Sequence, residues 1–529
     1  MGAVKHVRRG VRGLQQSVFH GGRPVSLRGW LGYPRAAWLI IAVEFWERFS
    51  FYGMLTILAL FLTGSTVHGG FGWSATQALA LVGAYSGAMY AFPVVGGYLA
   101  DRKLGHRRAV TLGASFMLLG QILMASPTYL PALLGAWHHL PLLEALGSLG
   151  APLGHIVRTP DTSAAIAAHG IVLDAHLGGA WLSHAYTAQA LGFYAALVCL
   201  ILGNALMKST LVVLCGETFE PSDPLRDGAY AYYYLGISCG AMLSGVVVGL
   251  IAQKFGWAYG FAIAALGMAT ALFAYIVLAP RWLGAIGVRA TDRSIGQAVV
   301  GLIGPSATRL NGETGLRIAL LVVLAPLLCV FSVSVFQLYG SWSLFVERFV
   351  ERSVGSFLVP VPWFSSLSAA VNIIVAPVIA ALWVRLAVRK FSVDIVWKYA
   401  FALAAALFGQ LLMYGGALSA AHGNSVRVWV PILAVAVHAT GEVVAWTASY
   451  GIVSRVAPPG FASLTMGAWY LVTLGLGGYL SGFAGNLLDS FGFASTFGAL
   501  AAVMLAATIA ALLLHRPLVQ LAARAGVRL

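Results

Sequence analysis

Charged side chains are scarce in this 529-residue chain: Asp, Glu, Lys and Arg make up 9% of it, whereas hydrophobic residues make up 59%. A protein of this composition has too little polar surface to cover a water-soluble globule. The scarcity of charge excludes a soluble enzyme and a disordered chain, and it indicates a membrane protein.

Cysteine is also rare. The chain has four cysteines, each within an apolar run: Cys199, Cys215, Cys239 and Cys329. This spacing gives neither a disulfide framework nor a zinc motif. The sequence therefore predicts no bound metal and no cofactor.

Long apolar runs, in contrast, are abundant. A bilayer core of about 30 Å is crossed by a helix of about 20 residues. Twelve stretches meet that requirement: 36–63, 76–99, 109–127, 190–215, 229–252, 257–280, 316–345, 362–387, 395–417, 428–454, 460–485 and 490–514. Glycine and proline within several of them predict tilted or kinked helices that pack through small residues. The sequence therefore predicts an all-α membrane protein with twelve transmembrane helices.

The predicted spans divide into six and six around a mixed, polar segment that has no run long enough to cross a membrane. The predicted organisation is a basic N-terminus at 1–35, an N-terminal six-helix bundle at 36–280 with an insertion at 128–189, a linker at 281–315, a C-terminal six-helix bundle at 316–514, and a tail at 515–529. Two such bundles around a linker are typical of transporters built from repeats.

The net charge of +15 is placed asymmetrically along the chain. With the N-terminus on the cytoplasmic side, 25 of the 32 lysines and arginines also fall on that side, as the positive-inside rule requires. We therefore predict cytoplasmic termini, a cytoplasmic linker and a periplasmic insertion. The basic residues are expected to contact anionic lipid rather than nucleic acid.

The insertion at 128–189 concentrates histidine. It holds six of the thirteen histidines: His138, His139, His155, His169, His176 and His184. Because it lacks cysteine and a compact His-x-His spacing, a solvated, partly helical loop is favoured over a metal site or a pH sensor.

Five ionisable side chains are predicted deep inside apolar spans: Glu44, Glu47, Arg48, Lys208 and Glu442. Each costs at least ~2.5 kcal/mol there unless it has a partner or a water-filled cavity. In the first span, the spacing of the three charged residues places them on one helical face with the aromatic residues at 51 and 52. That face is therefore expected to lie against protein or water rather than lipid.

Lys208 offers a charge partner for the first span. With both glutamates ionised, that span carries one net negative charge, which Lys208 would neutralise. We predict that Lys208 pairs with Glu44 and Glu47. Protonation of one carboxylate would then free the lysine for an anionic ligand, which is the behaviour of a switch. The alternative is a static ion network that fixes helix packing.

Two glycine motifs fall inside predicted spans. Gly236, Ser238 and Gly240 fit the spacing of a nucleophile elbow, and 475–482 is similar to a dinucleotide-binding loop. Both of those motifs lie at strand-to-helix turns, whereas small residues in a membrane helix simply allow close packing. No catalytic residue is predicted, and the chain is not expected to be an enzyme.

The segment 44–53, EFWERFSFYG, resembles the E-x-x-E-R-F-x-Y-Y-G signature of the proton-dependent oligopeptide transporters, a branch of the major facilitator superfamily. Further stretches carry the resemblance along most of the chain outside the insertion: 96–108, 203–208, 233–240, 363–364, 441–442 and 466–469. The resemblance implies the major facilitator fold. It also implies import of di- and tripeptides with protons, by rocking of two bundles in a bacterial inner membrane.

The resemblance further implies residue roles. Proton coupling would rest on Glu44, Glu47, Arg48 and Lys208. Arg48 and Lys208 would face the peptide carboxylate, and Glu442 would hold the amino group. The other implied substrate contacts are Tyr52, Tyr90, Tyr234, Ser238, Gln337, Ser368 and Trp469. The expected partners are a small peptide or zwitterionic solute, protons and membrane lipid, with no obligate protein partner.

The chain departs from the family pattern at several pocket positions. The family's acid in the seventh span falls at Phe336, and its asparagines in the fifth and eighth spans fall at Ser238 and Ser368. These changes favour, as an alternative, a carrier of the same fold for an amino acid or an organic anion. A non-transporting membrane sensor or scaffold is a third reading, suggested only by the insertion.

Overall fold

The computed structural model describes residues 32–65, 69–126, 178–220, 223, 225–288, 312–389, 393–457 and 462–527. Within these ranges, eleven helices are long and apolar enough to cross a membrane, and one further apolar segment is an interrupted helix. In chain order these helices, α1 to α12, are Arg35–Thr63, Ala75–Leu104, His106–Ala125, Gly178–Glu217, Leu225–Phe255, Trp257–Trp282, Gly315–Phe349, Pro362–Val388, Ile395–Ala421, Trp429–Val456, 462–481 and Ala484–Arg524.

Several helices contain a break, as their glycines and prolines predicted. Helix α2 is interrupted at Pro93, and α7 turns between Gln337 and Ser341. Helix α11 has a π-helix, Leu471–Gly475, at its middle, and Gly492 adopts a φ of 78° inside α12. Proline removes a backbone hydrogen bond and a π-helix adds a residue to one turn, so these helices are irregular at defined positions.

The predicted insertion is partly helical. Helix α4 begins at Gly178, so 178–189 extends the fourth span instead of forming a loop. The rest of the insertion and most of the predicted linker, 289–311, lie outside the described residues. The histidines of the insertion likewise fall outside the side chains that the structure describes.

Short strands join the helices at one end of the molecule. Strand β1 (Val350–Glu351) pairs in parallel with β4 (Val426–Arg427), which links the segment after α7 to the segment before α10. Strands β2 (Ser353–Val354) and β3 (Phe357–Leu358) form an antiparallel hairpin before α8.

The helices pack as two bundles, α1 to α6 and α7 to α12. In the first bundle, α1 is central and packs on α5 and α6. Glycine permits this approach, because a Cβ at Gly267 would lie 2.5 Å from the Phe49 ring and a Cβ at Gly53 would lie 2.8 Å from Val248. Close helix contact through small residues is how membrane helices gain packing energy.

Hydrogen bonds tie the two bundles together at the end where α1 finishes and α2 begins. We call this set of contacts the far seam: Thr76 N to Asp489 Oδ2 (2.8 Å), Thr76 Oγ1 to Gly485 O (3.1 Å), Gln253 Nε2 to Leu358 O (2.8 Å) and Trp363 Nε1 to Val246 O (3.1 Å). The bundles are therefore closed against each other at that end.

Candidate functional site

A buried cluster of charges lies on α1. Arg48 Nε is 2.9 Å from Glu44 Oε1 and 2.5 Å from Glu47 Oε2. The hydroxyl of Tyr233, on α5, donates a 2.6 Å hydrogen bond to the other oxygen of Glu44. All three charged side chains are buried, so the prediction that this face of α1 avoids lipid is confirmed. Two carboxylates that share one guanidinium leave the cluster one negative charge.

Lys208 does not make the predicted ion pair with the α1 glutamates. Its Nζ lies 3.4 Å from the centroid of the Tyr90 ring, a cation-π contact. Within the described part of the chain, no carboxylate lies within ion-pair distance of it. The pairing prediction is wrong for this conformation, because Arg48, on the same helix as both glutamates, already lies within ion-pair distance of their carboxylates.

Glu442 lies on α10, in the opposite bundle. Ser368 Oγ is 3.4 Å and Asn372 Nδ2 is 3.5 Å from Glu442 Oε2, and both donors come from α8. Ser368 was predicted from the sequence, whereas Asn372 was not. The signal was present, since Asn372 lies four residues after Ser368 and therefore on the same helical face.

Aromatic rings connect the two bundles between these charged groups. Tyr52 stacks on Tyr339 with centroids 6.1 Å apart, and Tyr90 meets the edge of Phe336 at 5.9 Å. Tyr52 and Tyr90 belong to the first bundle, whereas the other two rings belong to the second. Phe336, where the resemblance places the family's acid, is thus an apolar wall against the ring that covers Lys208.

The remaining predicted substrate contacts differ in whether their polar groups are already hydrogen-bonded to other residues. The Gln337 amide donates to the Val333 and Ser481 carbonyls, both at 3.2 Å, and accepts from Ser341, so it is already used in helix packing. Tyr234 hydrogen-bonds Ser238 along α5. Trp469 is buried against the core of the second bundle. The described residues contain no group of three or more potential metal ligands.

Comparison with known proteins identifies the family. The family model described as the POT family matches residues 107–283 and 294–503. The chain belongs to the POT family. The resemblance seen in the sequence and the major facilitator fold with its two helical bundles are thereby confirmed.

Relatives of this POT-family chain include transporters from bacteria. It is 25% identical over 513 residues to the peptide transporter YePEPT of Yersinia enterocolitica, covering 87% of this chain and 89% of that protein. It is 24% identical over 493 residues to the uncharacterized transporter YclF of Bacillus subtilis, covering 85% and 87%. A crystal structure of a POT family transporter in complex with a thioalcohol conjugated peptide has a TM-score of 0.73 at 19% identity, covering 93% of this chain and 99% of that one. This structure supports the fold alone.

Proposed function

We propose that this protein is a proton-coupled symporter that imports di- and tripeptides or similar small zwitterionic solutes by alternating access. The observation that carries the proposal is the pair of α1 glutamates sharing Arg48, placed opposite Glu442 in the other bundle. The relative YePEPT, named as a peptide transporter, supports the choice of substrate.

The first step of the proposed cycle is protonation on α1. A proton on Glu44 or Glu47 removes one partner of Arg48 and leaves the cluster of three without net charge. A substrate carboxylate can then replace the lost partner, because a guanidinium binds carboxylates in bidentate geometry. Lys208 would add a second cation when its contact with Tyr90 is exchanged for the substrate.

The second step joins the bundles. The substrate ammonium binds Glu442, whose carboxylate Ser368 and Asn372 hold in place. A zwitterion bound at both ends therefore draws α1 and α10 together. Because it makes both contacts only when the two bundles are close, its binding favours that conformation over the other. The substrate and the proton are then released on the other side.

The proposed orientation follows from the charges of the chain. The protein would be multi-pass in a bacterial inner membrane, with both termini cytoplasmic, because the basic residues favour that side. The far seam would then be the periplasmic gate, closed in this structure.

A carrier of the same fold for an amino acid or an organic anion is the second candidate. The wall formed by Phe336 against Tyr90 favours it, because it leaves less polar surface for a peptide backbone. Thermal-shift measurements with dipeptides, single amino acids and organic anions would separate the two: stabilisation by dipeptides alone supports the peptide carrier.

Counterflow in liposomes tests the proposal directly. Liposomes preloaded with an unlabelled dipeptide should accumulate labelled dipeptide through the wild-type protein. In a separate assay under an inward proton gradient, Lys208→Ala should lose proton-driven uptake. Absence of dipeptide exchange by a correctly folded protein would refute the peptide assignment.

A further inference from the structure

Tyr85 lies on α2, the helix that carries Tyr90 and packs on α1. Its side chain is 2% exposed, and its hydroxyl has no hydrogen-bond partner among the described residues. The phenol interacts electrostatically with Glu47 and Arg48, so it lies near the α1 charge cluster. An unpaired buried hydroxyl is unfavourable, which points to a use for it in another state of the protein.

Glu47 needs a new partner once it is protonated. Its side chain is 0% exposed, and within the described part of the chain its Oε1 atom has no hydrogen-bond partner. The ionised carboxylate is balanced by Arg48, which the substrate carboxylate takes in the proposed cycle. A protonated carboxyl group gains an O–H donor, and a tyrosine hydroxyl can accept a hydrogen bond as well as donate one.

The other titratable groups around this pair are engaged elsewhere. Tyr233 donates to Glu44, which favours the ionised form of that neighbouring carboxylate. Lys208 rests on the ring of Tyr90. On the other helices packed on α1 and α2, the segments 109–125, 257–280, 318–346, 362–384 and 462–481 contain no His, Asp, Glu, Lys or Arg, and Asp489 bonds Thr76 at the far seam.

Tyr85 is also placed to act on the contact between the bundles. It stands between Gly83 and Gly87, through which α2 approaches α11: a Cβ at Gly83 would lie 2.8 Å from Gly482 Cα, and one at Gly87 would lie 3.0 Å from Gly475 O. Two residues along an α-helix correspond to about 200° of rotation. One face of α2 therefore packs on α11, and the opposite face presents Tyr85 to the charge cluster.

We propose that Tyr85 is a positioning residue for the coupled proton, because its hydroxyl accepts a hydrogen bond from Glu47 when that carboxyl group is protonated. The phenol keeps its own proton, and the coupled proton stays on Glu47. The bond joins α1 to α2 only in the protonated state, so the proton acts on the helix that closes the far seam. This inference rests on the proposed function.

Tyr85→Phe tests the role, because it removes the hydroxyl and keeps the ring. Proton-driven dipeptide uptake into liposomes is measured between pH 5 and 8. The hydroxyl favours protonated Glu47, so in the variant the midpoint of the pH profile should move by about 0.7 pH unit toward acid, the equivalent of one hydrogen bond of about 1 kcal/mol.

Tyr275→Phe is the matched control. Tyr275 lies on α6, is likewise 2% exposed, and has a hydroxyl with no hydrogen-bond partner in the described ranges. The pH profile of this variant should be that of the wild type. Thermal unfolding should be similar in all three proteins, because neither substitution removes a hydrogen bond that the structure shows.

Infrared difference spectroscopy of the purified full-length protein gives a readout that does not depend on transport. The C=O stretch of protonated Glu47, identified by its loss in Glu47→Gln, should titrate at more acidic pH in Tyr85→Phe. It should also move to higher frequency, because the carboxyl O–H has lost its acceptor.

The two proposals fail in different ways. Absence of proton-driven dipeptide uptake by the wild type would count against the proposed function, and the infrared titration would still decide the role of Tyr85. Equal midpoints and C=O frequencies in Tyr85→Phe and Tyr275→Phe would overturn the inference. A shift toward alkaline pH in Tyr85→Phe would also overturn it, because the hydroxyl would then donate to the ionised carboxylate.

Discussion

Arg48 pairs with both α1 carboxylates through a single atom, Nε, of its planar guanidinium. An ammonium is a single point charge on a flexible chain and does not reproduce that geometry. Lys208, although predicted as the partner, is left to the Tyr90 ring. The choice of guanidinium at position 48 therefore decides which of the two cations is free to meet a substrate.

Arg48→Lys should lose proton-driven uptake and destabilise the protein. Breaking a buried ion pair costs about 3–5 kcal/mol when one charge is left uncompensated, and the lysine is expected to keep only part of that interaction. Uptake in liposomes and thermal unfolding in detergent measure the two effects. Arg427→Lys, at an exposed arginine of β4, is the matched control and should change neither.

Tyr90→Leu should free Lys208 for a substrate carboxylate. A cation-π contact is worth about 1 kcal/mol, or roughly fivefold in affinity, so carboxylate ligands should bind more tightly by that factor. Tyr90→Phe keeps the ring and should bind as the wild type does. Equal affinities of Tyr90→Leu and Tyr90→Phe would show that the ring does not compete with the substrate.

Asn372→Leu should weaken the binding of zwitterionic substrates. It removes one donor to Glu442, and hydrogen bonds to charged groups contribute about 1.5 kcal/mol or more, which corresponds to about tenfold in affinity. Analogues with a blocked amino group should bind unchanged, because they do not use the carboxylate. A similar loss for both ligand classes would assign Asn372 to helix packing instead.

The helices themselves were predictable because each span must satisfy its backbone hydrogen bonds internally and present apolar side chains to lipid. The sequence predicted that some helices are kinked, but not where each break lies or what geometry it has. Nothing in the sequence specifies that 471–475 forms a π-helix, which packs against both α2 and α7. The early start of α4 was also missed, because 178–189 is less apolar than the span it extends.

At the site, spacing along one helix predicted the shared face of α1, whereas the partner of Lys208 depended on tertiary contacts.

The seam between α2 and the last two helices depends on glycine. A Cβ at Gly83 would lie 2.8 Å from the backbone of Gly482, and one at Gly485 would lie 2.8 Å from Thr76 Cα. The helices approach so closely that a side chain at either glycine would require backbone atoms, rather than flexible side chains, to move. The far seam is therefore sensitive to any side chain at these two positions.

Gly83→Leu should keep the far seam open and stop transport. In a Thr76→Cys background, the cysteine should become accessible to a membrane-impermeant maleimide, whereas it should be protected when Gly83 is intact. Gly415→Leu is the control, because a Cβ at Gly415 meets no other atom within 4 Å. Protection of Cys at position 76 in the Gly83→Leu protein would show that the seam closes without this approach.

At the scale of the whole molecule, the proposed cycle uses charged groups from two bundles that move against each other. Once a glutamate of α1 is protonated, Arg48 would bind the carboxylate end of a zwitterion, and Glu442 in the other bundle would bind its ammonium end. Aromatic rings from both bundles lie between the two charged groups. Because the bundles contact each other through this layer, we expect occupancy of the site to be coupled to closure of the bundles.

In the proposed cycle, protons on the α1 glutamates drive substrate accumulation. This is tested by uptake of a labelled dipeptide into liposomes under an inward proton gradient, with wild type and Glu47→Gln compared. We expect the wild type to accumulate the dipeptide, a protonophore to abolish that accumulation, and the variant to reach only equilibration with exchange retained. Accumulation by Glu47→Gln equal to that of the wild type would contradict it.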